Sequence, residues 1–185
     1  MIHVLTPIRV SEPLSYDITQ QSVECKRFTH CSDAPEERRE NEATNREALK
    51  EFATAPYTIL MDADVVLDSN DAFEKMIAFM EKHPFPAAVV DTKGRAPDQL
   101  CHASESGHAV IALTIIRADV LRTITFAPLY VKYNHEDLIN DAYLWFPPES
   151  QGCLCVSVNR QIRQMYGWPI PYIRGVTAHE KKKGV

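Results

Sequence analysis

The strongest hydrophobic pattern in the chain lies at residues 57–68, Tyr-Thr-Ile-Leu-Met-Asp-Ala-Asp-Val-Val-Leu-Asp. Its apolar stretch is continuous, with turn-forming residues on either side, which predicts a strand buried on both faces of a sheet. Asp62 and Asp64 then fall where that strand runs out. In open α/β sheets this carboxyl edge is where ligands bind. Residues 2–8 predict a first strand closed by Pro7, residues 11–21 a short helix, and residues 23–30 a weaker second strand. From 36 to 53 the pattern turns helical, with Ala48, Leu49, Phe52 and Ala53 on one face and Glu37, Arg38, Arg39 and Glu40 solvated. Phe73, Met76, Ile77 and Met80 follow the i, i+3, i+4, i+7 spacing of an amphipathic helix. Asp68-Ser69-Asn70-Asp71 supplies its candidate caps, and Pro84 and Pro86 end it.

Beyond it the pattern predicts a short strand at 87–90, a loop over 92–107, a strand at 109–116 and a short helix at 118–124. Residues 130–133 read as strand, and His135-Glu136-Asp137 opens a helical stretch to Phe146. Residues 153–158 read as a further strand, which would point Cys153 and Cys155 to one face. A helix at 161–166 and a last strand at 170–173 precede Thr177-Ala178-His179-Glu180. Strands and helices alternate without internal repeats. This predicts an α/β three-layer sandwich with a mostly parallel central sheet, in one domain over 1–185.

Composition narrows the function more than the fold. Hydrophobic content of 45% and charged content of 24% over 185 residues are those of an ordinary globular protein with a real core. A net charge of -5 argues against a general nucleic-acid binder. The local exception is the basic run Lys181, Lys182 and Lys183, read as solvated or in contact with anionic lipid or a diphosphate. No stretch reaches the about 20 apolar residues of a membrane helix. The opening residues lack the basic and apolar regions of a signal peptide, so a cytoplasmic location is the expectation. The five cysteines have neither disulfide-framework nor zinc-finger spacing and read as buried free thiols.

Three clusters carry candidate chemistry: Asp62 with Asp64, Glu136 with Asp137, and His179. Paired carboxylates are hard oxygen ligands that favour Mg or Mn, and an imidazole at His179 tilts the choice toward Mn. Arg46 either neutralises phosphate or pairs with a helix carboxylate such as Glu42. Glu136-Asp137 at a helix start also suits the helix dipole alone.

Taken in order, these segments resemble the nucleotide-sugar glycosyltransferases of the GT-A fold, most like family 2. The likeness runs over most of the chain as a pattern. Residues 59–64 followed by Val65-Val66-Leu67 resemble the family's strand and DxD motif. Ser32-Asp33 is similar to the acidic position that contacts the nucleotide base, and Asn45-Arg46 to the pair on the helix facing the donor. Glu136-Asp137 resembles the pair at the acceptor-side helix, and His179 a late metal-site histidine. The resemblance implies a donor half over about 1–68 and an acceptor half over 69–185. It implies transfer of a sugar from a nucleotide-diphosphate donor to a small or glycan acceptor. Asp64 and His179 would hold a divalent cation; Asp33, Arg46 and Asp62 would face the nucleotide. Asp137, or else Glu136, would be the base, with inversion as the natural outcome. Trp168, beside Gly167 and Pro169, would be the better of the two tryptophans to stack on an acceptor ring.

The same Asp-x-Asp also resembles the nucleophile motif of haloacid-dehalogenase-type phosphatases. There Asp62 would attack phosphate, Asp64 act as acid, Lys93 balance charge, and Asp137 with Asp141 hold Mg. Against that, 61 residues precede Asp62, and Val65 stands where Gly is usual. A non-catalytic domain that only binds nucleotide sugars is the third reading.

Overall fold

The computed structural model describes residues 1–8, 13–31, 38–90, 92–93, 111–127, 130–131, 150–151, 154–167 and 170–181. The central sheet has five strands. β1 (Ile2–Pro7) lies between β2 (Cys25–His30) and β3 (Tyr57–Met61), parallel to both. That position explains its burial: strands on both edges and apolar contacts on both faces leave Ile2, Val4 and Leu5 at most 1% exposed. β2 forms the sheet edge and is only partly covered.

On the other side of β3 runs β7 (Leu113–Arg117), antiparallel, with Tyr57 opposite Arg117 and Met61 opposite Leu113. β5 (Ala87–Val89) closes the sheet against β7, again antiparallel, giving the order β2-β1-β3-β7-β5. One reversed strand therefore interrupts a sheet whose other strands run the same way, as the mostly parallel expectation requires.

The helices follow their apolar stripes. α1 (Arg38–Leu49), continued by a 3-10 turn over Lys50–Phe52, connects β2 to β3 and packs on β1 and β2. α2 (Ala72–Lys82) buries Phe73, Met76 and Met80 at the predicted spacing and packs on β5 and β7. Its N-cap residue, Asp71, makes no side-chain cap. Gln21 does the work from a distance: its Oε1 accepts from Phe73 N at 2.9 Å. Gln21 Nε2 donates to Tyr16 Oη at 2.8 Å and to Ser69 O at 2.9 Å, tying the segment after β1 to the helix start. α3 (Ala118–Thr123) follows β7 directly and buries Val120 and Leu121.

The strand ends at Met61, just before the aspartates, as expected, and three other expectations change. The chain turns at Asp62-Ala63-Asp64, where Asp62 O accepts from Val65 N at 3.2 Å. β4 (Val65–Leu67) then leaves the main sheet and joins a three-stranded sheet with β10 (Ala178–Glu180) and β6 (Thr92–Lys93), in the order β4-β10-β6. Residues 153–158 do not form a strand but open α4 (Leu154–Tyr166), in which Leu154, Cys155, Val158 and Ile162 are buried at helical spacing. A short apolar run fits either period, and the inference that Cys153 and Cys155 share a strand face falls with it. In place of a strand at 170–173 there is one bridge between Val89 and Tyr172. The short helix expected within 11–21 is reduced to a 3-10 turn at Ile18–Gln20, capped by Asp17.

β8 (Tyr130–Val131) and β9 (Ser150–Gln151) pair antiparallel. The helical stretch expected over 135–146 lies outside the described residues, as does the expected loop after Lys93. Cys25, Cys31 and Cys155 are free thiols. Among the described residues no helix is long and apolar enough to cross a membrane.

Candidate active site

The parallel strands β2, β1 and β3 deliver their carboxyl ends to one edge, since Pro7 pairs with His30 and Leu5 with Leu60. Helix α1 turns Asn45 and Arg46 inward at that edge, both nearly fully buried. The Asn45 amide is oriented by donating from Nδ2 to Asn41 Oδ1 at 3.1 Å and to Ile8 O at 3.4 Å. Its Oδ1 then faces His30 Nδ1 at 2.9 Å, which assigns the proton to that nitrogen.

Arg46 binds the first aspartate of the motif. Its Nη2 donates to Asp62 Oδ1, while Nε and Nη2 donate to Glu42 Oε1 at 3.1 and 3.0 Å. The Arg46 side chain is 1% exposed, against 27% for Asp62 and 34% for Glu42. Burial pushes the guanidinium pKa down, but the charges of Asp62 and Glu42 outweigh it and hold it above the usual arginine value. Of the two roles open to Arg46, pairing with Glu42 is therefore observed, and Asp62 is joined to it. Among the described residues Arg46 Nη1 is buried without a hydrogen-bond partner.

The turn itself is held from three sides. Asp62 N donates to Ala112 O at 2.8 Å, next to the end of β7. Ser15 N donates to Ala63 O at 2.8 Å, fixing the residue between the aspartates. Lys181 N donates to Asp64 O at 2.8 Å. The Asp64 side chain is half-exposed and makes no hydrogen bond or ion pair among the described residues.

Exposure alternates through this region: Ala63, Val65 and Leu67 are buried, whereas Asp64, Val66 and Asp68 face outward. β10 pairs antiparallel with β4, so His179 stands opposite Val66 and shares the outer face with Asp64 and Asp68. His179 Nδ1 is bonded to Asp68 Oδ1 at 2.7 Å, which leaves Nε2 for another partner. Lys93 lies in β6 with its backbone beside His179.

These donors suit a hard divalent cation that completes its shell with water and phosphate oxygens. A carboxylate with an imidazole whose other nitrogen is fixed by a second carboxylate is a common metal arrangement. Among the described residues no three His, Cys, Asp or Glu side chains converge to hold a metal ion alone. A cation here would depend on its substrate for ligands.

The structure thus brings Arg46 into contact with Asp62 and puts Asp64 and His179 on one face. Asp33, Glu136, Asp137 and Asp141 lie outside the described residues, as does Trp168. Asp68, expected as a helix cap, instead stands on the outer face bonded to His179, a place that the alternation of Asp64, Val66 and Asp68 along the chain marks. A separate cavity of about 270 Å³, lined by Tyr57, Phe85, Arg117 and Asp119 among others, lies at the opposite end of β3.

Residues 15–123, more than half of the chain, match the family model for glycosyl transferase family 2. The chain belongs to glycosyl transferase family 2. No curated protein sequence matches it. Solved structures of glycosyltransferases are similar to this family 2 chain. One is the mannosyltransferase PcManGT from Pyrobaculum calidifontis, in complex with GDP-Man and Mn2+. Its TM-score is 0.63 at 14% identity, over 99% of this chain and 58% of that one. Another is S. aureus TarS 1-349 in complex with UDP-GlcNAc, with a TM-score of 0.57 at 14% identity, over 99% of this chain and 59% of that one. At such identities the likeness establishes the GT-A fold. The family 2 chain spans less than two thirds of the length of either. With its family known and Asp62 paired to Arg46, nothing favours Asp62 as a phosphoryl nucleophile.

Proposed function

We propose that this chain is a metal-dependent, inverting glycosyltransferase, moving a sugar from a nucleoside-diphosphate donor to an acceptor hydroxyl. The observation that carries the reading is the division of labour at the Asp62-Ala63-Asp64 turn. Asp62 is held by a buried arginine, whereas Asp64 points outward on the face that carries His179. The GDP-Man and Mn2+ bound by PcManGT and the UDP-GlcNAc bound by TarS support the same donor class.

In this reading the donor lies along the carboxyl edge. Asp33 faces the base, Asp62 the ribose, and Arg46 acts on the donor through Asp62, because its guanidinium is shielded from direct contact. Asp64 and His179 would hold Mn or Mg, which when bound sets positive charge against the diphosphate. The acceptor oxygen bonds to the anomeric carbon as the bond to the diphosphate breaks, and the electron pair leaves with the diphosphate. The acceptor proton passes to Asp137, or else Glu136. The acceptor is small or a glycan.

Titration calorimetry with UDP and GDP, with and without Mn, tests this. Nucleotide binding that depends on Mn, and loses that dependence in Asp64→Ala, is the expected result. Absence of nucleotide binding under every condition overturns it.

A further inference from the structure

Backbone pairing sets the place of Lys181. Ala178, His179 and Glu180 pair in turn with Leu67, Val66 and Val65, and the next step puts Lys181 N 2.8 Å from Asp64 O. Opposed residues of an antiparallel pair project from the same face, so Lys181 shares the outer face with Asp64. His179, two positions back, shares it too. Exposure agrees, since Lys181 and His179 are both exposed while Ala178 is buried. Among the described residues the Lys181 ammonium has no ion-pair partner. A chain of net charge -5 thus sets a cation beside its outward aspartate and histidine.

We infer that Lys181 binds the diphosphate of the nucleotide donor. The inference rests on the donor-binding reading above. Lysine is a compact charge with three donors on a flexible stem, suited to phosphoryl oxygens that shift as a leaving group departs. The ladder anchors its Cα beside the motif while leaving its Nζ free to follow the phosphates. A fixed ammonium also adds positive charge that does not depend on a metal, so its effect persists when the metal is removed.

The test is titration of UDP and GDP, and of uridine and guanosine, into wild type, Lys181→Met and Lys181→Arg, in Mn and in EDTA. Lys181→Met is expected to weaken diphosphate binding about tenfold. It should leave nucleoside binding unchanged, and Lys181→Arg should recover most of the loss. Wild-type diphosphate affinity in Lys181→Met overturns the assignment while the donor-binding reading stands. An equal loss of nucleoside affinity overturns it as well, because the effect would not be on phosphate. A wild type that binds no nucleotide overturns the donor-binding reading, and the assignment with it.

Discussion

Arg46 Nη2 and Asp62 Oδ1 form an ion pair that joins the inner side of α1 to the turn at the end of β3. Glu42 shares the guanidinium from one helical turn away, so one buried cation serves two half-exposed carboxylates. Arg46→Met leaves those carboxylates facing each other without a counter-charge. The expected loss is about 3 kcal/mol, the scale for removing one partner of a buried pair. Glu42→Gln, with the charge of Asp62 still in place, should cost less than about 1 kcal/mol. Urea denaturation midpoints check both, and an unchanged midpoint in Arg46→Met would rule out the pair as a support of the turn.

The bond between His179 and Asp68 predicts an effect on metal binding without an effect on stability. Asp68→Ala should weaken Mn affinity by about tenfold or more, the usual cost of losing the group that orients a metal-bound histidine. The fold should change by no more than about 0.5 kcal/mol, as for most surface substitutions. Free Mn measured by electron paramagnetic resonance reports the affinity. If Asp68→Ala matches wild type while His179→Ala does not, Asp68 has no orienting role.

Gln21 makes three hydrogen bonds at the start of α2, to Tyr16, Ser69 and Phe73. Gln21→Ala strips a buried cap from Phe73 N and leaves it unsatisfied. About 2 kcal/mol should be lost. A thermal melt within one degree of wild type would mean that water replaces the side chain.

Burial pushes the Cys25 thiol up to about 11, and its Sγ donates to Val23 O at 3.0 Å. Alkylation of Cys25 should therefore rise with pH toward a midpoint near 11 in the folded chain, and near 9 once it is unfolded. The folded value lies above the unfolded one for a group that ionises to an anion. Its contribution to stability is thus present below about pH 9 and lost as pH rises from there toward 11. Mass spectrometry of modified Cys25 across that range measures it, and a folded midpoint near 9 contradicts the burial effect.

Much of the architecture was legible because the pattern and the final burial agree. Residues 2–8 and 57–61 read as strands bounded by turn-forming residues, and both are strands of the main sheet. The stripe Phe73, Met76, Met80 became the buried side of α2. Asp62-Ala63-Asp64 could be read as the end of a strand because the apolar run stops at Asp62. Where the pattern fits two periods, it failed: Leu154, Cys155 and Val158 look alike as a strand or as a helix. Burial of Ile162 on the same stripe selects the helix.

By itself, then, the amino-acid sequence determined which segments are apolar, where they stop, and that two aspartates follow the strongest of them. Contacts distant along the chain decided the rest. No local pattern tells Arg46 that Asp62 will join Glu42 at its guanidinium, because that depends on where α1 settles against β3. Nor does it show that Val65-Val66-Leu67, beyond the turn, belong to a second sheet, since nothing local marks their partner strand. The register of β10 on β4 links residues more than a hundred positions apart. That pairing alone brings His179 to Asp68 and Lys181 to Asp64.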